Sequence, residues 1–211
     1  MSDSGYYATR YTADPRRREV WRHIATYLQR WISTTADVLE LGAGYCDFSN
    51  TISAGSRTAI DVEAAFTEFA DTTVVTAVGS CDDLSRFADA SFDVVFASNL
   101  LEHLDRGVLL ATLGEVRRVL RAGGRLILVQ PNYRLRPHQY FDDYTHVAVF
   151  TDRSLPDMLD ANGFAREHVE ARFLPLTMKS RLSFGHRLVP LYLRLPWRPL
   201  AGQMLVVARR R

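Results

Sequence analysis

Two groups of residues in this chain have types and spacing suited to chemistry. The first lies in Val38 to Ser49, VLELGAGYCDFS. An apolar run carrying Glu40 gives way to a turn with Gly42 and Gly44, then to helix-compatible sequence. Glycine accepts positive φ and lets backbone come close to a ligand. A strand-to-helix turn of this kind, at the carboxyl end of a strand, suits an adenosyl cofactor. Asp61 follows 17 residues after Gly44 and closes the run Ser56 to Asp61. An acid about 20 positions past the glycine turn takes the ribose hydroxyls in nucleotide-binding α/β folds. A carboxylate fits that task because it accepts two hydrogen bonds from a vicinal diol. The competing reading of Asp61 is a surface turn residue. Glu63 is the nearby alternate and reads better as a first-turn helix acid.

The second group holds histidines and carboxylates. Glu102 and His103 follow an apolar run, Phe92 to Ala97. A long connection from Asn132 to Thr151 carries Asp143 and His146 among aromatic residues. Long loops at such places tend to be functional. His146 is the first choice for a general base, with Asp143 orienting its imidazole. The bland alternative is a histidine that caps or packs the loop. His103 is a further candidate base, against the plainer reading of a helix-start residue that anchors its loop. His138 and Tyr144 rank below these.

Positioning these groups requires alternating strands and helices. Val38 to Leu41, Ser56 to Asp61, Thr73 to Val78, Phe92 to Ala97 and Arg125 to Val129 read as strands. The runs around Val94 and Leu128 are apolar throughout, as in strands buried on both faces. Leu104, Leu109, Leu113, Val116 and Leu120 mark an amphipathic helix, with a glycine C-cap signal at Gly123-Gly124. Asp14-Pro15 followed by Arg16 to Trp31 reads as a capped helix with Ile24, Leu28 and Trp31 on its apolar stripe. Tyr6, Tyr7 and Tyr11 precede it, as residues that close over the site or as a frayed tail.

A dinucleotide is a poor fit to the glycine turn. The third glycine of that fingerprint would fall at Asp47, whose carboxylate repels a pyrophosphate. The chain also lacks a Tyr-x-x-x-Lys pair, since its only lysine is Lys179. The turn instead resembles motif I of the class I S-adenosylmethionine (SAM)-dependent methyltransferases, E/D-x-G-x-G-x-G, with Cys46 where that family often has its third glycine. Gly79-Ser80-Cys81-Asp82-Asp83-Leu84 resembles the family's adenine-flanking G-D-A-x-x-L, with Ser80 and Cys81 departing from it. Ser91 to Leu104, SFDVVFASNLLEHL, resembles its SFDVV…LEHL block, and Arg118 to Leu126 its RVLKPGG…L block. Thr145-His146 and Phe150-Thr151 resemble the DHV…FT segment of small-molecule members, and Asn162-Gly163-Phe164 a GF turn. The similarity runs from about Val38 to about Phe173.

The resemblance implies an α/β, Rossmann-like, seven-stranded and mostly parallel sheet, with helices on both faces and a C-terminal antiparallel hairpin. It implies SAM as cofactor and S-adenosylhomocysteine as product. Glu40, Gly42, Ala43, Gly44, Asp61, Val62, Cys81, Asp82, Ser98, Asn99 and Leu100 are the expected cofactor contacts, with Ser98 to Leu100 at the methionine end. The expected function is methyl transfer to a small-molecule, glycan or lipid-linked acceptor, with oxygen favoured. The segment Ser98-Asn99-Leu100-Leu101 is not the (D/N/S)-PP-(Y/F) of enzymes that methylate nucleic acid bases, so nucleic acid is an unexpected partner. The alternative function is a non-catalytic SAM-binding scaffold or sensor.

With 211 residues and 47% hydrophobic content, the chain suits one α/β domain. It divides into an N-terminal helical cover (1–36), a core (37–173), a basic aromatic insertion (174–203) and a last strand with a basic tail (204–211). The first residues lack a basic stretch followed by an apolar one, so no signal peptide is expected. Cys46 and Cys81 make no disulfide framework, and no Cys/His spacing suggests zinc, so no metal is expected. A reducing cytoplasm is the expected compartment. Ala171 to Arg211 holds nine basic residues and no acid, which leaves residues 1–170 at −7 within an overall +2. Basic and aromatic residues interleaved over 174–203 suit an anionic membrane surface, at the inner face of the membrane, or a phosphate-bearing acceptor. The competing reading is a lid with solvated arginines.

Overall fold

The computed structural model describes residues 16–175 and 188–211. Helix α1 (Arg16–Leu28) runs into a 3-10 turn, Gln29–Trp31. Strands β1 (Asp37–Leu41), β2 (Ser56–Asp61), β3 (Val75–Val78) and β4 (Phe92–Ser98) follow. Then come α2 (Arg106–Val119), β5 (Leu120–Pro131), the short α3 (Pro137–Tyr140), α4 (Ser154–Ala161), β6 (Phe164–Pro175), α5 (Val189–Arg194) and β7 (Ala201–Arg210). The sheet has seven strands in the order β3-β2-β1-β4-β5-β7-β6. The first five pair in parallel, and β7 lies antiparallel between β5 and β6. This is the expected Rossmann-like architecture with its antiparallel C-terminal strands.

Strand alternation builds two cores from one sheet. Leu39, Val95, Leu126, Leu128, Met204 and Val206 face α2 and α4, which contribute Leu109, Leu113, Val116, Leu155 and Leu159. Val38, Val94, Phe96, Ile127, Val129, Leu205 and Val207 face the other way, onto Val20, Trp21, Ile24 and Leu28 of α1. Strand order reverses between β1 and β4, and ligands of open α/β sheets bind in the crevice outside the carboxyl ends at such a point. Gly42 to Gly44 and Ser98 to Leu100 leave the sheet at that crevice.

Two local features differ from expectation. The chain after Gly44 makes successive turns up to Ile52, not a regular helix. Cys46 has φ +54, and Ser49 sends its N–H to Glu40 instead of along a helix ladder. Helix α2 ends at Val119, before the glycines, because Leu120 is extended and pairs with Phe92 in the sheet. Gly123 and Gly124 therefore belong to β5. A Cβ on Gly124 would lie 3.0 Å from the Asp93 carbonyl oxygen and 2.9 Å from that of Arg121, so backbone proximity and not capping requires glycine there. The N-terminus of α2 is instead closed by Asp105, which accepts from Gly107 and Val108 N–H.

The segment between β6 and β7 is partly anchored. Leu193 of α5 is buried against α1, and Arg198 is only 3% exposed. The cap at Asp14-Pro15, the tyrosines Tyr6, Tyr7 and Tyr11, and 176–187 of the expected insertion lie outside the described residues. Among those described, no helix is long and apolar enough to cross a membrane.

Candidate active site

The glycine turn and the end of β2 form one unit. Gly42 and Gly44 have φ of +62 and +50, backbone that favours glycine. Asp61 Oδ2 accepts the Gly44 N–H at 2.9 Å, and its Oδ1 accepts the Glu63 N–H at 3.0 Å. Ala43 N–H bonds the Ile60 carbonyl, which joins the turn to β2. A pocket opens here, lined by Gly42, Ile60, Asp61, Val62, Gly79, Cys81 and Leu100. A Cβ at Gly42 would stand 3.0 Å from Leu100 Cδ1, so bare backbone keeps the floor of the pocket in place. An apolar slot with a buried carboxylate at one wall fits an adenosine moiety.

Five expected cofactor residues, Gly42, Asp61, Val62, Cys81 and Leu100, therefore line one pocket. The others stand around it. Ala43 packs with Cys46, Ala59, Phe66 and Val74 behind the turn. Asp82 accepts from the Ser80 hydroxyl. Cys81 lies beside Thr112, whose hydroxyl is 3.3 Å from its sulfur. Glu40 is buried and accepts from Ser49 N–H at 2.9 Å and from the Ser49 hydroxyl at 2.5 Å. Burial, offset in part by the Ser49 bonds and reinforced by Asp47 and Asp61, pushes the Glu40 carboxyl up to about 8. The same burial, with Glu40 and Asp61 nearby, pushes the Cys46 thiol up to about 12, which keeps it a protonated packing residue.

Asn99 stands where the methionine end is expected. It has φ +48, a conformation that Asn tolerates better than most residues. Its N–H bonds the Val129 carbonyl at 2.9 Å, and its Oδ1 accepts from Gln203 Nε2 at 2.8 Å. Its own amide reaches Ser98 Oγ at 3.3 Å. Gln203 was invisible as a site residue in the sequence, since only the β5–β7 pairing brings it beside a turn 104 residues earlier.

The second group also assembles. Leu101–His103 form a 3-10 turn after β4, and Val147 and Ala148 N–H both bond the Glu102 carbonyl, at 2.8 and 3.0 Å. That stitches the long loop onto the end of β4 and brings the His103 and His146 rings to 4.9 Å. Thr145 Oγ1 donates to Asp143 Oδ1 at 2.6 Å and lies 2.9 Å from His103 Nδ1. His146 Nε2 is 4.0 Å from Asp143 Oδ2 and 4.0 Å from Glu102 Oε1, ion-pair and not hydrogen-bond separations. Tyr140 packs 4.8 Å from the His146 ring and donates to the Ala148 carbonyl. Burial holds Tyr140 well protonated, with Glu102 adding to the effect. Burial likewise pushes the Glu102 carboxyl up to about 8, with the Asp143 charge contributing. His138 and Tyr144 are exposed. Sequence reasoning passed over Glu102 and Thr145, one read as part of a motif and the other as a flank of His146.

Residues 39–128 match the family model described as a methyltransferase domain. No curated protein matches the chain by sequence. Among solved structures, a SAM-dependent methyltransferase from Archaeoglobus fulgidus superposes with a TM-score of 0.66 at 18% identity, covering 92% of this chain and 94% of its own. A protein from Pyrococcus horikoshii OT3 gives 0.69 at 18% identity, covering 99% of both chains. A SAM-dependent methyltransferase from Thermotoga maritima, described as a possible histamine N-methyltransferase, gives 0.68 at 17% identity over 93% of this chain and 91% of its own.

Proposed function

We propose that this chain, matched over residues 39–128 by a methyltransferase-domain family model, is a class I SAM-dependent methyltransferase that methylates a hydroxyl of a small-molecule, glycan or lipid-linked acceptor. The observation that carries the acceptor side is the cluster of buried Glu102 with half-buried His103, Asp143 and His146 at the carboxyl end of β4. An amine acceptor can lose its proton to water before attack, whereas a hydroxyl gains from a base in the site.

SAM supplies an electrophilic methyl on a sulfonium. The turn from Gly42 to Gly44 and the Asp61 carboxylate hold the adenosine, and Ser98 to Leu100 with Glu40 hold the methionine end. His146 takes the proton of the acceptor hydroxyl, and Asp143 and His103 position it. The oxygen lone pair forms the new O–C bond as the C–S bond breaks. Alignment of acceptor, carbon and sulfur is the protein's main contribution. A lipid-linked acceptor is supported by Leu191, Trp197 and Leu200, which are 60%, 63% and 70% exposed beside Arg172 and Arg194.

Calorimetric titration with S-adenosylhomocysteine tests the cofactor half. Wild type is expected to bind at micromolar concentration, and Asp61→Ala at least tenfold more weakly. Absence of binding to wild type at millimolar ligand would overturn the reading. Acceptor screening then compares wild type with His146→Ala. A loss of 100-fold or more in turnover is expected, and unchanged turnover on an alcohol acceptor would remove His146 as the base.

A further inference from the structure

The proton-transfer reading leaves Glu102 without a role. Its side chain is fully buried, and neither carboxylate oxygen receives a hydrogen bond. A buried carboxyl with both oxygens unsatisfied is costly to keep, and a coordinated cation is one partner that satisfies it. What faces Oε1 is His103 Nε2 at 3.9 Å and His146 Nε2 at 4.0 Å. These separations are too long for a hydrogen bond.

The neighbouring bonds fix the tautomer of His103. Thr145 has one hydroxyl proton, and it goes to Asp143 Oδ1 at 2.6 Å. The same oxygen therefore accepts at His103 Nδ1, which is the N–H of the neutral ring. Nε2 is then the lone-pair nitrogen, turned toward a carboxylate oxygen. A neutral imidazole that donates one N–H to an outer partner and presents its other nitrogen is the usual arrangement of a metal-bound histidine.

We infer that Glu102, His103 and His146 form a three-ligand site for a first-row divalent cation at the acceptor end of the cleft. The ligand atoms of the three residues lie within 4.8 Å of one another. A tetrahedral cation bound at about 2.0 to 2.2 Å holds its ligands about 3.3 to 3.6 Å apart, so both carboxylate–imidazole separations close on it with a shift of about half an ångström. The widest pair closes with side-chain rotations that bring it together by about an ångström or slightly more. Two imidazoles and one carboxylate leave coordination positions open, the pattern of a site that takes substrate oxygen. The donor set suits zinc, cobalt, manganese or iron better than magnesium or calcium.

This rests on the oxygen-acceptor reading and changes one role in it. In the loaded site His146 is a ligand, the acceptor hydroxyl loses its proton under the field of the cation, and Asp143 Oδ2 receives that proton. Sequence reasoning missed the metal because its cue was Cys/His spacing, whereas His103 and His146 stand 43 residues apart.

Chelator-stripped protein titrated with cobalt(II) provides the test. Visible ligand-field bands saturating at one cobalt per chain, and bleached by zinc, are expected. Glu102→Gln and His146→Ala should each weaken binding at least tenfold, and Thr145→Ala by about tenfold through the freed imidazole. S-adenosylhomocysteine binding by the same variants, within about twofold of wild type, shows that they are folded. No ligand-field bands at millimolar cobalt, or unchanged cobalt affinity in folded Glu102→Gln, would overturn the site. In that case turnover in chelator would leave His146 as the base. Failure of wild type to bind S-adenosylhomocysteine would instead strike the methyltransferase reading and leave the cobalt result standing.

Discussion

At the scale of single residues, Glu40 and Asp61 divide the work of the glycine turn through their surroundings. Asp61 receives two backbone N–H groups, from Gly44 and Glu63. Glu40 is buried, with only Ser49 to stabilise its charge, and is pushed up to about 8. The sign of the resulting pH dependence follows from linkage. An acid whose folded value lies above its unfolded value of 4.5 favours folding most below 4.5, and that contribution is lost as pH rises through 8. A cationic methionine end nearby reverses the preference and expels the proton. Binding of S-adenosylhomocysteine at pH 7 is therefore expected to release a proton, read as a dependence of the calorimetric enthalpy on buffer ionisation. Glu40→Gln should abolish that dependence, weaken binding by roughly tenfold, and melt at a higher temperature than wild type at pH 9. A buffer-independent enthalpy in wild type would refute the assignment.

At the scale of elements, strain and close packing at the turns can be separated. Gly42 and Gly123 both have positive φ, +62 and +72. A Cβ at Gly42 meets Leu100 at 3.0 Å, and one at Gly123 meets nothing within 4 Å. Both Gly→Ala changes should cost about 1 to 2 kcal/mol in backbone strain, seen as a lower chemical-denaturation midpoint. Only Gly42→Ala should also weaken S-adenosylhomocysteine binding, by tenfold or more, because Leu100 must give way. Equal binding by the two variants would show that the turn does not shape the pocket. The same contrast explains what the sequence made legible. Strands β1, β4 and β5 showed as apolar runs because both of their faces are covered, and β2, read as a short strand closing on an acid, matched Ser56–Asp61 to the residue. Gly123-Gly124 misled as a helix cap because a glycine pair looks alike whether it caps a helix or lets two backbones touch. The Gln203–Asn99 and Thr145–His103 bonds span 104 and 42 residues, and no local pattern announces such partners.

At the scale of the whole molecule, the charge division between an acidic body and a basic C-terminal stretch becomes a packing question centred on Arg198. Its guanidinium, nearly buried, pairs with Glu170 Oε1 at 2.5 Å and donates to the Leu193 carbonyl at 2.6 Å. It also reaches Tyr27 of α1 at 3.2 Å, and Tyr27 in turn donates to Glu170 at 2.9 Å. One side chain thus joins α1, β6 and the chain after α5, so part of the basic segment is structural and not a solvated face. Removing one partner of a buried ion pair costs about 3 to 5 kcal/mol, since the other charge is left uncompensated. For a chain of this size each kcal/mol lowers Tm by roughly 2 to 4 °C. Arg198→Ala is therefore expected to lower Tm by roughly 6 °C or more, with S-adenosylhomocysteine affinity at 20 °C within about twofold of wild type, because the glycine turn lies elsewhere on the sheet. Arg198→Lys should recover little, as one ammonium cannot place donors on Glu170, Leu193 and Tyr27 together. By contrast, Arg194→Ala, on the exposed face of α5, should leave Tm within about 1 °C and report through lipid instead. Reduced sedimentation with anionic vesicles in that variant, against an unchanged melt, would separate the arginine that holds the segment from one that faces a surface. Equal melts for Arg198→Ala and Arg194→Ala would mean that the buried pair does not hold the C-terminal stretch in place.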